Sequence, residues 1–420
     1  MKMTIFKAIP ARITSSQIFM LSVFVVNGGN YLYNLLLGRI LGPKAFADAA
    51  LMITLLLILS FLAMTFQLAT AKFTVTLPEN VNIDFRRRMY LYAIFIGLFL
   101  GLLLIVFSNQ LQMLFQTDTT SMFVVFGFGV PLYFLLSVNR GFFQGRQEFV
   151  ALSMTYQSEM WSRLLITLIL LWLFTNSTAV IVSIGILCSL VMGLFPMDRK
   201  PKNKGILQRK MTKVEQKTIS MFVLITAFYE MTQIVINNSD ILLVKHYFSQ
   251  LEAGLYASLA LIGRVVYFVA WMFVMQLLPS VVQKQKDGEP HSGELFKYVG
   301  AVSILSFLIV VACALIPEFI ISIMFGKQYL SMAHLLWMYA IATSLFAISN
   351  IFSYYFLSLD KYIPVILSGL MGLTQVVLIA MFHKNLEQVV HVQIIAMAIL
   401  FILQLVFFQL NTDKKRFLFF

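Results

Sequence analysis

Residues 198–217 read DRKPKNKGILQRKMTKVEQK, the longest polar and charge-dense run of the 420-residue chain. The run carries eight Lys and Arg residues against two acids, Asp198 and Glu215, and it lies close to the middle of the sequence. Almost all of the chain on either side of it is apolar. We therefore predict that 198–217 is a basic cytoplasmic linker between two similar membrane-embedded halves, and that the function lies between these halves.

The composition is that of an integral membrane protein. Hydrophobic residues make up 60% of the chain and charged residues only 12%, too few to cover a soluble domain of this length. Apolar runs of about 20 residues recur throughout, whereas the short alternating strands of a β-barrel are not seen. We predict an all-α integral membrane fold with about twelve transmembrane helices. They are placed near 14–37, 45–71, 89–107, 121–138, 150–174, 178–197, 218–239, 252–282, 298–317, 329–357, 363–382 and 389–410.

The basic residues predict the orientation in the membrane. With both termini in the cytoplasm, 24 of the 31 Lys and Arg residues fall on cytoplasmic segments and 5 on outer loops. This positive-inside asymmetry predicts a multi-pass protein of the cell membrane (the inner or plasma membrane) with both termini cytoplasmic. It also explains the net charge of +13 by topology and by contact with anionic membrane lipids, so no nucleic acid partner is expected. The predicted domains are an interfacial segment at 1–13, six-helix lobes at 14–197 and 218–410, and a cytoplasmic tail at 411–420.

Two similar stretches lie about 206 residues apart and indicate an internal repeat. The first begins at Asn34 and reads NLLLGRILGPKAFADAALM, and the second begins at Asp240 and reads DILLVKHYFSQLEAGLYASL. In both, a polar residue is followed by an apolar triplet, a base (Arg39 or Lys245), a short turn and a helix start. Six predicted spans lie on each side of the linker, so the lobes should be parallel repeats related by a pseudo-two-fold axis along the membrane normal.

Four charged side chains are predicted to lie near mid-membrane: Glu159, Arg163, Glu230 and Arg264. Each is about 14–20 Å from the end of its span at about 1.5 Å per residue, where a charge facing lipid would cost several kcal/mol. Glu159 and Arg163 are spaced i, i+4 with the acid first, which predicts an intrahelical ion pair. Whether that pair contacts substrate or only neutralises itself stays open. Arg264 has no acid four residues away, so Glu230, at a matching depth, is its expected partner.

Span 7 carries the clearest polar pattern. Its polar side chains are spaced 4, 3, 4 and 3 residues apart and therefore share one helix face. They are Thr226, Glu230, Gln233, Asn237 and Asp240.

Span 1 carries a shorter polar stripe, Asn27, Asn30 and Asn34, spaced 3 and 4. The two stripes predict two walls of one hydrated cavity; the structural alternative is interhelical hydrogen bonding, worth about 0.6 kcal/mol per bond. Gly28 and Gly29 lie inside this stripe and predict a bend of span 1 at mid-membrane. No P-loop, metal-binding or nucleophile motif occurs, so we expect no catalytic residue, metal or cofactor.

Three stretches carry a resemblance to a known family. They are LLLGRILGPKAFADAALM in spans 1–2, RGFFQGRQEFVALSMTYQSEMWSR entering span 5, and DILLVKHYFSQLEAGLYASLALIGRVVYF in spans 7–8. Here the chain resembles the polysaccharide-flippase branch of the multidrug/oligosaccharidyl-lipid/polysaccharide exporter superfamily. One departure is Ala47-Asp48, where the family commonly has Gly followed by an apolar residue, and Asp48 is therefore given no role.

The resemblance implies two six-helix lobes around a central cavity. It implies a polyprenyl-pyrophosphate-linked oligosaccharide as substrate, a precursor of cell-surface polysaccharide that is moved from the inner to the outer leaflet. An ion gradient or the membrane potential, rather than ATP, would drive alternating access. Contact with the polysaccharide assembly machinery is a further expectation.

The polar positions suit such a substrate. Arg163 and Arg264 are expected to bind the pyrophosphate, with Arg39 near the outer exit. Glu159 and the amides of both stripes should line the same cavity and contact sugar hydroxyls. Glu230 and Asp240 are expected to bind H⁺ or Na⁺ and to couple ionisation to a conformational change.

Two other functions stay open. A cation-coupled multidrug antiporter of the same superfamily would share the fold but should show an excess of acids in its cavity, whereas acids and bases balance here. An intramembrane glycan polymerase or ligase usually needs a sizeable outer loop, and the predicted outer loops are all short. Proton-driven efflux of cationic dyes would favour the first, and product formation by the protein alone would favour the second.

Overall fold

The computed structural model describes residues 15–174, 177–198, 209–266, 288–290, 292–359 and 361–416, with Leu277, Val281 and Lys284. The side chains of residues 16, 229, 233 and 412–416 are outside this description. The predicted interfacial segment 1–13 and residues 199–208 of the predicted linker also lie outside the described residues. The chain divides into two compact units, and unit 1 comprises Met1–Asn34 and Leu55–Phe228, while unit 2 comprises Leu35–Thr54 and Tyr229–Phe420. The predicted six-helix lobes and their boundaries stay a prediction.

The described residues form α-helices and two short 3₁₀ helices, and they contain no strand. The all-α fold class is therefore confirmed. The α-helices are α1 (Ser15–Thr76), α2 (Asn82–Val106), α3 (Ser108–Phe115), α4 (Ser121–Gly145), α5 (Phe149–Leu173), α6 (Thr178–Gly193), α7 (Lys213–Tyr247), α8 (Gln250–Gly263), α9 (Ser292–Leu315), α10 (Pro317–Met324), α11 (Leu336–Ser358), α12 (Ile363–Met381) and α13 (Leu386–Arg416). The 3₁₀ helices are Glu79–Val81 and Lys327–Leu335.

Seven helical segments of the described residues are long and apolar enough to cross a membrane, and α7 makes an eighth if its two parts, which meet near Gln233 at a bend of 46°, form one span. The seven segments are Gln17–Thr76, Glu79–Val106, Ser121–Gly145, Ser292–Leu315, Lys327–Ser358, Ile363–Met381 and Leu386–Asn411. A bilayer needs about 20 apolar residues per helical crossing. The chain is therefore a multi-pass membrane protein.

The helix α1 covers predicted spans 1 and 2 and is interrupted at Gly42, whose φ of 74° and ψ of 168° are not helical. Pro43 follows, and a proline inside a helix removes one hydrogen-bond donor. Gly28 and Gly29 keep helical φ and ψ, so the chain is not broken at these two residues, and the bend suggested there stays a prediction. A Cβ on Gly29 would overlap the Sδ atom of Met160, so this glycine permits close packing of α1 on α5.

In unit 1, α2 packs on α4, and α6 packs on both α4 and α5. The α2–α4 contact is close because both helices carry glycine there, and a Cβ on Gly101 would lie 2.5 Å from the carbonyl oxygen of Gly127. The helix α4 extends to Gly145, beyond the end at residue 138 that hydropathy predicts for span 4. Its last turns therefore place Asn139 and Arg140 in the buried interior of unit 1.

Both described ends of the basic run are attached to unit 1. The buried Asp198 carboxylate forms ion pairs with Arg86 and Arg146. At the other end, the backbone N–H of Arg209 donates to the carbonyl oxygen of Asn80 at 2.8 Å. Arg209 also donates from Nη1 and Nη2 to the Glu215 carboxylate at the start of α7, at 2.9 and 2.7 Å. The helix α7 therefore starts from unit 1 and continues into unit 2 at Tyr229.

In unit 2, α11 is the central helix and packs against α8, α9, α12 and α13. A capping box starts α8: the Ser249 hydroxyl accepts from the backbone N–H of Glu252, and the Glu252 carboxylate accepts from the backbone N–H of Ser249. This box follows directly from the sequence S-Q-L-E and fixes the turn between α7 and α8. The predicted eighth span continues from α8 into residues outside the described ones.

Candidate functional site

A buried cluster of charges lies in unit 1 and consists of Arg140, Glu159, Arg163 and Asn30, which we call the unit 1 cluster. The i, i+4 ion pair predicted from the sequence is confirmed, because Arg163 Nη1 lies 3.3 Å from Glu159 Oε1. The second amino group of Arg163 donates to Asn30 Oδ1 on α1. Arg163 thus connects α5 to the polar stripe of span 1.

Arg140 is the member of this cluster that the sequence analysis missed. It was assigned to a cytoplasmic loop, but α4 carries it into the core, where it is 2% exposed. Its Nη2 lies 2.7 Å from Glu159 Oε2, and its Nε and Nη2 donate to the side chain and carbonyl oxygens of Thr155. The guanidinium also stacks over the Tyr156 ring at 3.8 Å from the ring centre. The apolar pair Phe142 and Phe143, which follows Arg140, is the signal that could have placed it correctly, because it continues the apolar pattern beyond residue 138.

The asparagines of span 1 have different surroundings. Asn30 accepts from Arg163, and its backbone carbonyl accepts from the Asn34 side chain at 2.8 Å. Asn27 is exposed and Asn34 is half-buried. Among the hydrogen bonds of the described residues, Asn30 is therefore the asparagine of this stripe that contacts a charged residue of the cluster.

A second buried cluster lies in unit 2, and its members are Asp240, Arg264, Tyr256, Tyr339 and the backbone of Asn237; we call it the unit 2 cluster. Arg264 Nη2 lies 3.1 Å from Asp240 Oδ1 and also donates to the Asn237 carbonyl oxygen. The hydroxyls of Tyr256 and Tyr339 donate to Asp240 Oδ2 at 3.2 and 2.8 Å. Both oxygens of Asp240 are thus bound, Oδ1 by the Arg264 guanidinium and Oδ2 by two hydroxyls.

The predicted pairing of Arg264 with Glu230 is wrong. Glu230 and Arg264 have matching Cα depths in their spans, but a helical side chain leans towards the N-terminus of its own helix. Arg264, just after the last residue of α8, therefore reaches back along α8 to Asp240, which lies inside α7 about two turns before its end. Glu230 is left half-buried, with no hydrogen bond or ion pair to another described residue. Gln233 lies on α7 between them, and its side chain is outside the described residues.

A small cavity of about 30 Å³ adjoins the unit 2 cluster. Polar residues on three further helices line it beside Asp240 and Arg264, namely Thr343, Gln375 and Gln393. The buried Oε1 of Gln393 has no hydrogen-bond partner among the described residues. Such a volume holds about one water molecule, which a polar wall of this kind can bind.

A third charged contact joins the segment Leu35–Thr54 to the rest of unit 2. Lys245 Nζ lies 2.7 Å from Asp48 Oδ1, and both side chains are almost fully buried. From the sequence, Asp48 has no predicted role and Lys245 falls in the outer loop between predicted spans 7 and 8. A base inside the apolar run ILLVKHYF is the signal for a buried partner. Arg39 is exposed, and its Nη1 donates to the carbonyl oxygen of Ile323 at 2.8 Å.

The arrangement favours binding of ions rather than covalent chemistry. In the part of the chain that the structure describes, no group of three His, Cys, Asp or Glu side chains could hold a metal ion. The unit 1 cluster has two guanidiniums for one carboxylate and so carries a surplus positive charge. The unit 2 cluster has one of each, and Glu230 adds a separate acid on the same helix as Asp240.

Residues 36–334 match a family model described as "Polysaccharide biosynthesis protein", which spans more than half of the chain. The chain belongs to this polysaccharide biosynthesis family. The resemblance drawn from the sequence, to the polysaccharide-flippase branch of the multidrug/oligosaccharidyl-lipid/polysaccharide exporter (MOP) superfamily, is thereby confirmed. No curated protein matches this polysaccharide biosynthesis protein significantly.

Solved structures show the fold of this polysaccharide biosynthesis protein. An inward-facing multidrug resistance MATE family transporter of the MOP superfamily matches with a TM-score of 0.78 and 10% identity, over 92% of this chain and 95% of that chain. The lipid II flippase MurJ in its inward closed conformation matches with a TM-score of 0.75 and 14% identity, over 93% and 87%. A MOP superfamily transporter from Pyrococcus furiosus matches with a TM-score of 0.55 and 12% identity, over 95% and 94%. The fold is therefore that of a two-lobe all-α membrane transporter, as the sequence predicts.

Proposed function

We propose that this chain is a flippase that moves a polyprenyl-pyrophosphate-linked oligosaccharide from the inner to the outer leaflet of the cell membrane. Alternating access, driven by an ion gradient or by the membrane potential, would carry the precursor of a cell-surface polysaccharide across. The family match and the transporter fold support transport in polysaccharide biosynthesis. The Lys and Arg asymmetry of the loops supports an orientation with both termini cytoplasmic.

The observation that carries the proposal is the surplus positive charge of the unit 1 cluster. Two buried guanidiniums share the single carboxylate of Glu159, so one positive charge lacks a counter-ion among the described residues. A buried charge without a partner costs several kcal/mol in a low-dielectric surrounding, and a bound anion would remove that cost. A guanidinium also presents donors in a planar fork that fits phosphate oxygens. The pyrophosphate headgroup is the anion that we assign to Arg163.

The remaining sequence-derived residues receive proposed roles in the same cycle. The amides of Asn27, Asn30, Asn34, Gln233 and Asn237 would contact sugar hydroxyls. Glu230 is the better of the two proposed coupling acids, because Asp240 is already bound by Arg264 and two tyrosine hydroxyls. A proton on Glu230 would neutralise a carboxylate that has no cation beside it among the described residues.

The proposal is tested with purified full-length protein in liposomes. The probe is a fluorescent polyprenyl-pyrophosphoryl disaccharide, and the matched control probe is the same disaccharide on a neutral lipid. A membrane-impermeant quencher reports the fraction of each probe in the outer leaflet over time. We expect rapid redistribution of the pyrophosphoryl probe alone; equal rates for both probes, or no protein-dependent rate, would overturn the proposal.

The cation-coupled multidrug antiporter is the second candidate, because the structural match to a multidrug resistance transporter is close in fold and Glu230 is an acid without a described partner. The same liposomes, loaded with a cationic dye and given a pH gradient, test it. Dye efflux that depends on Glu230, in the absence of pyrophosphoryl-lipid flipping, would favour the antiporter.

A further inference from the structure

Glu159 is shared unequally by its two arginines. Arg140 Nη2 approaches Glu159 Oε2 to 2.7 Å, whereas Arg163 Nη1 stays 3.3 Å from Glu159 Oε1. Arg140 is fixed further by two hydrogen bonds to Thr155 and by the Tyr156 ring beneath it. The carboxylate is therefore neutralised mainly by Arg140, since the shorter of two ion pairs to one carboxylate is the stronger.

Arg163 keeps binding capacity as a result. A guanidinium has five N–H donors, and Arg163 uses one on Glu159 and one on Asn30. Its other three donors have no acceptor among the residues that the structure describes. The other polar side chains beside the cluster are the phenols of Tyr33, Tyr133 and Tyr156, which add no carboxylate. No second acid of the described residues pairs with either arginine, so the net charge of the cluster is +1.

We propose that Arg140 is a positioning residue that sets the anion affinity of Arg163 by holding Glu159 away from it. Without Arg140, the Glu159 carboxylate would turn fully to Arg163, four residues further on the same helix face, and form a neutral pair. An incoming anion would then compete with an internal carboxylate for the same donors. The proposal deepens the proposed function, because the ligand class it assumes at Arg163 is the pyrophosphate headgroup.

The proposal predicts an order of affinities that follows the charge left on Arg163. Arg140→Gln removes the positive charge that neutralises Glu159 and should weaken anion binding about tenfold or more, the equivalent of one charge-assisted hydrogen bond. Glu159→Gln removes the competing carboxylate and should strengthen binding above that of the wild type. The double variant Arg140→Gln/Glu159→Gln removes both and should bind within about threefold of the wild type, since the two changes cancel in net charge.

The order of affinities separates positioning from a structural role. A merely structural Arg140 predicts that the double variant, which loses more of the buried network, binds as weakly as Arg140→Gln or more weakly. Arg140→Lys retains the charge and should keep most of the affinity. Arg146→Gln is the matched control, because it removes another arginine near the same end of α4 and should leave the affinity unchanged; Arg146 pairs with Asp198 and Glu148 instead.

The experiment is calorimetric titration of inorganic pyrophosphate into each purified full-length variant, with gel filtration and a melting curve to verify folding. We expect Glu159→Gln to bind pyrophosphate most tightly and Arg140→Gln most weakly. The wild type and the double variant should lie between them with similar affinities. A double variant as weak as Arg140→Gln, a Glu159→Gln variant no tighter than wild type, or no pyrophosphate binding by the wild type would each overturn the proposal. If Arg140→Gln fails to fold, the Glu159→Gln and double-variant comparison decides. Titration as expected without lipid flipping would overturn the proposed function and leave this inference standing.

Discussion

Removing the positive charge of Lys245 should destabilise the protein strongly. Lys245 Nζ and Asp48 Oδ1 are 2.7 Å apart, and their side chains are 2% and 4% exposed. Two unit charges at that distance attract each other by about 6 kcal/mol at an effective dielectric constant of about 20. Lys245→Met would abolish this attraction and leave the buried Asp48 carboxylate without this cation. We expect a net loss of about 3–5 kcal/mol in the free energy of unfolding.

The assay is reversible unfolding of the purified protein by a denaturing detergent in bicelles, followed by tryptophan fluorescence or circular dichroism. Lys327→Met is the matched control, because Lys327 is exposed in the same unit, and it should change the free energy by about 0.5 kcal/mol or less. The double variant Asp48→Leu/Lys245→Met replaces the pair by apolar groups and should recover most of the loss. A loss below about 1 kcal/mol for Lys245→Met, or a double variant as unstable as the single one, would refute the reasoning about the buried pair.

Three further predictions follow from the clusters and from the packing of α1. Glu230→Gln should make flipping insensitive to an imposed pH gradient while pyrophosphate affinity stays within about twofold, because the headgroup is assigned to Arg163 and not to Glu230. Glu318→Gln, an exposed acid, is the control, and a gradient response that survives in Glu230→Gln would contradict the coupling role. Asp240→Asn should lower the free energy of unfolding by about 3–5 kcal/mol because Arg264 loses its counter-ion. Tyr339→Phe should lower it by only about 1–3 kcal/mol because one hydrogen bond is lost. Unfolding in detergent ranks the two variants, and equal losses would argue against Asp240 as the centre of the cluster. Gly38→Ala should cost about 1–3 kcal/mol, because its Cβ would overlap the ring of Phe325, which is fully buried and packed against other aromatic rings. Gly28→Ala, where a Cβ meets nothing within 4 Å, should not destabilise; similar unfolding curves for the two variants would contradict the packing explanation.

Contacts within one helix can be predicted from the spacing of residues along the sequence. The Glu159–Arg163 contact was predicted from its i, i+4 interval and is confirmed. The capping box that starts α8 was not predicted, although the sequence S-Q-L-E contains its signal. The all-α membrane fold follows from the length of the apolar runs, because a bilayer accepts little else than helices with satisfied backbones.

Contacts between helices were harder to predict from the sequence. Arg264 was predicted to pair with Glu230 because the two residues have matching depths. Its long side chain instead extends to Asp240 and forms an ion pair there. Arg140 was assigned to a loop because hydropathy falls after residue 138, although α4 continues to Gly145 and buries it beside Glu159. Hydropathy reports contact with lipid, and a polar residue inside the protein can be as buried as an apolar one when its charge is paired.

Asp48 shows why a departure from a family pattern is informative. Alone in the sequence it is an acid at a position where the family has an apolar residue. In the structure it is the partner of Lys245, a base in an otherwise apolar stretch some 200 residues later. A buried charge requires a counter-ion, so two unexplained charges in one membrane protein are best considered as a pair.

The most direct test of the central claim is the initial rate at which Arg163→Gln flips the fluorescent pyrophosphoryl probe, compared with wild type and Arg146→Gln in the same liposomes. The account predicts that Arg163→Gln loses most of the wild-type rate, about tenfold or more, because Arg163 shares its one carboxylate with Arg140 and leaves a positive charge for the headgroup. Arg146→Gln should retain the rate, because Arg146 pairs with two acids, Asp198 and Glu148. A wild-type rate in Arg163→Gln would contradict the account.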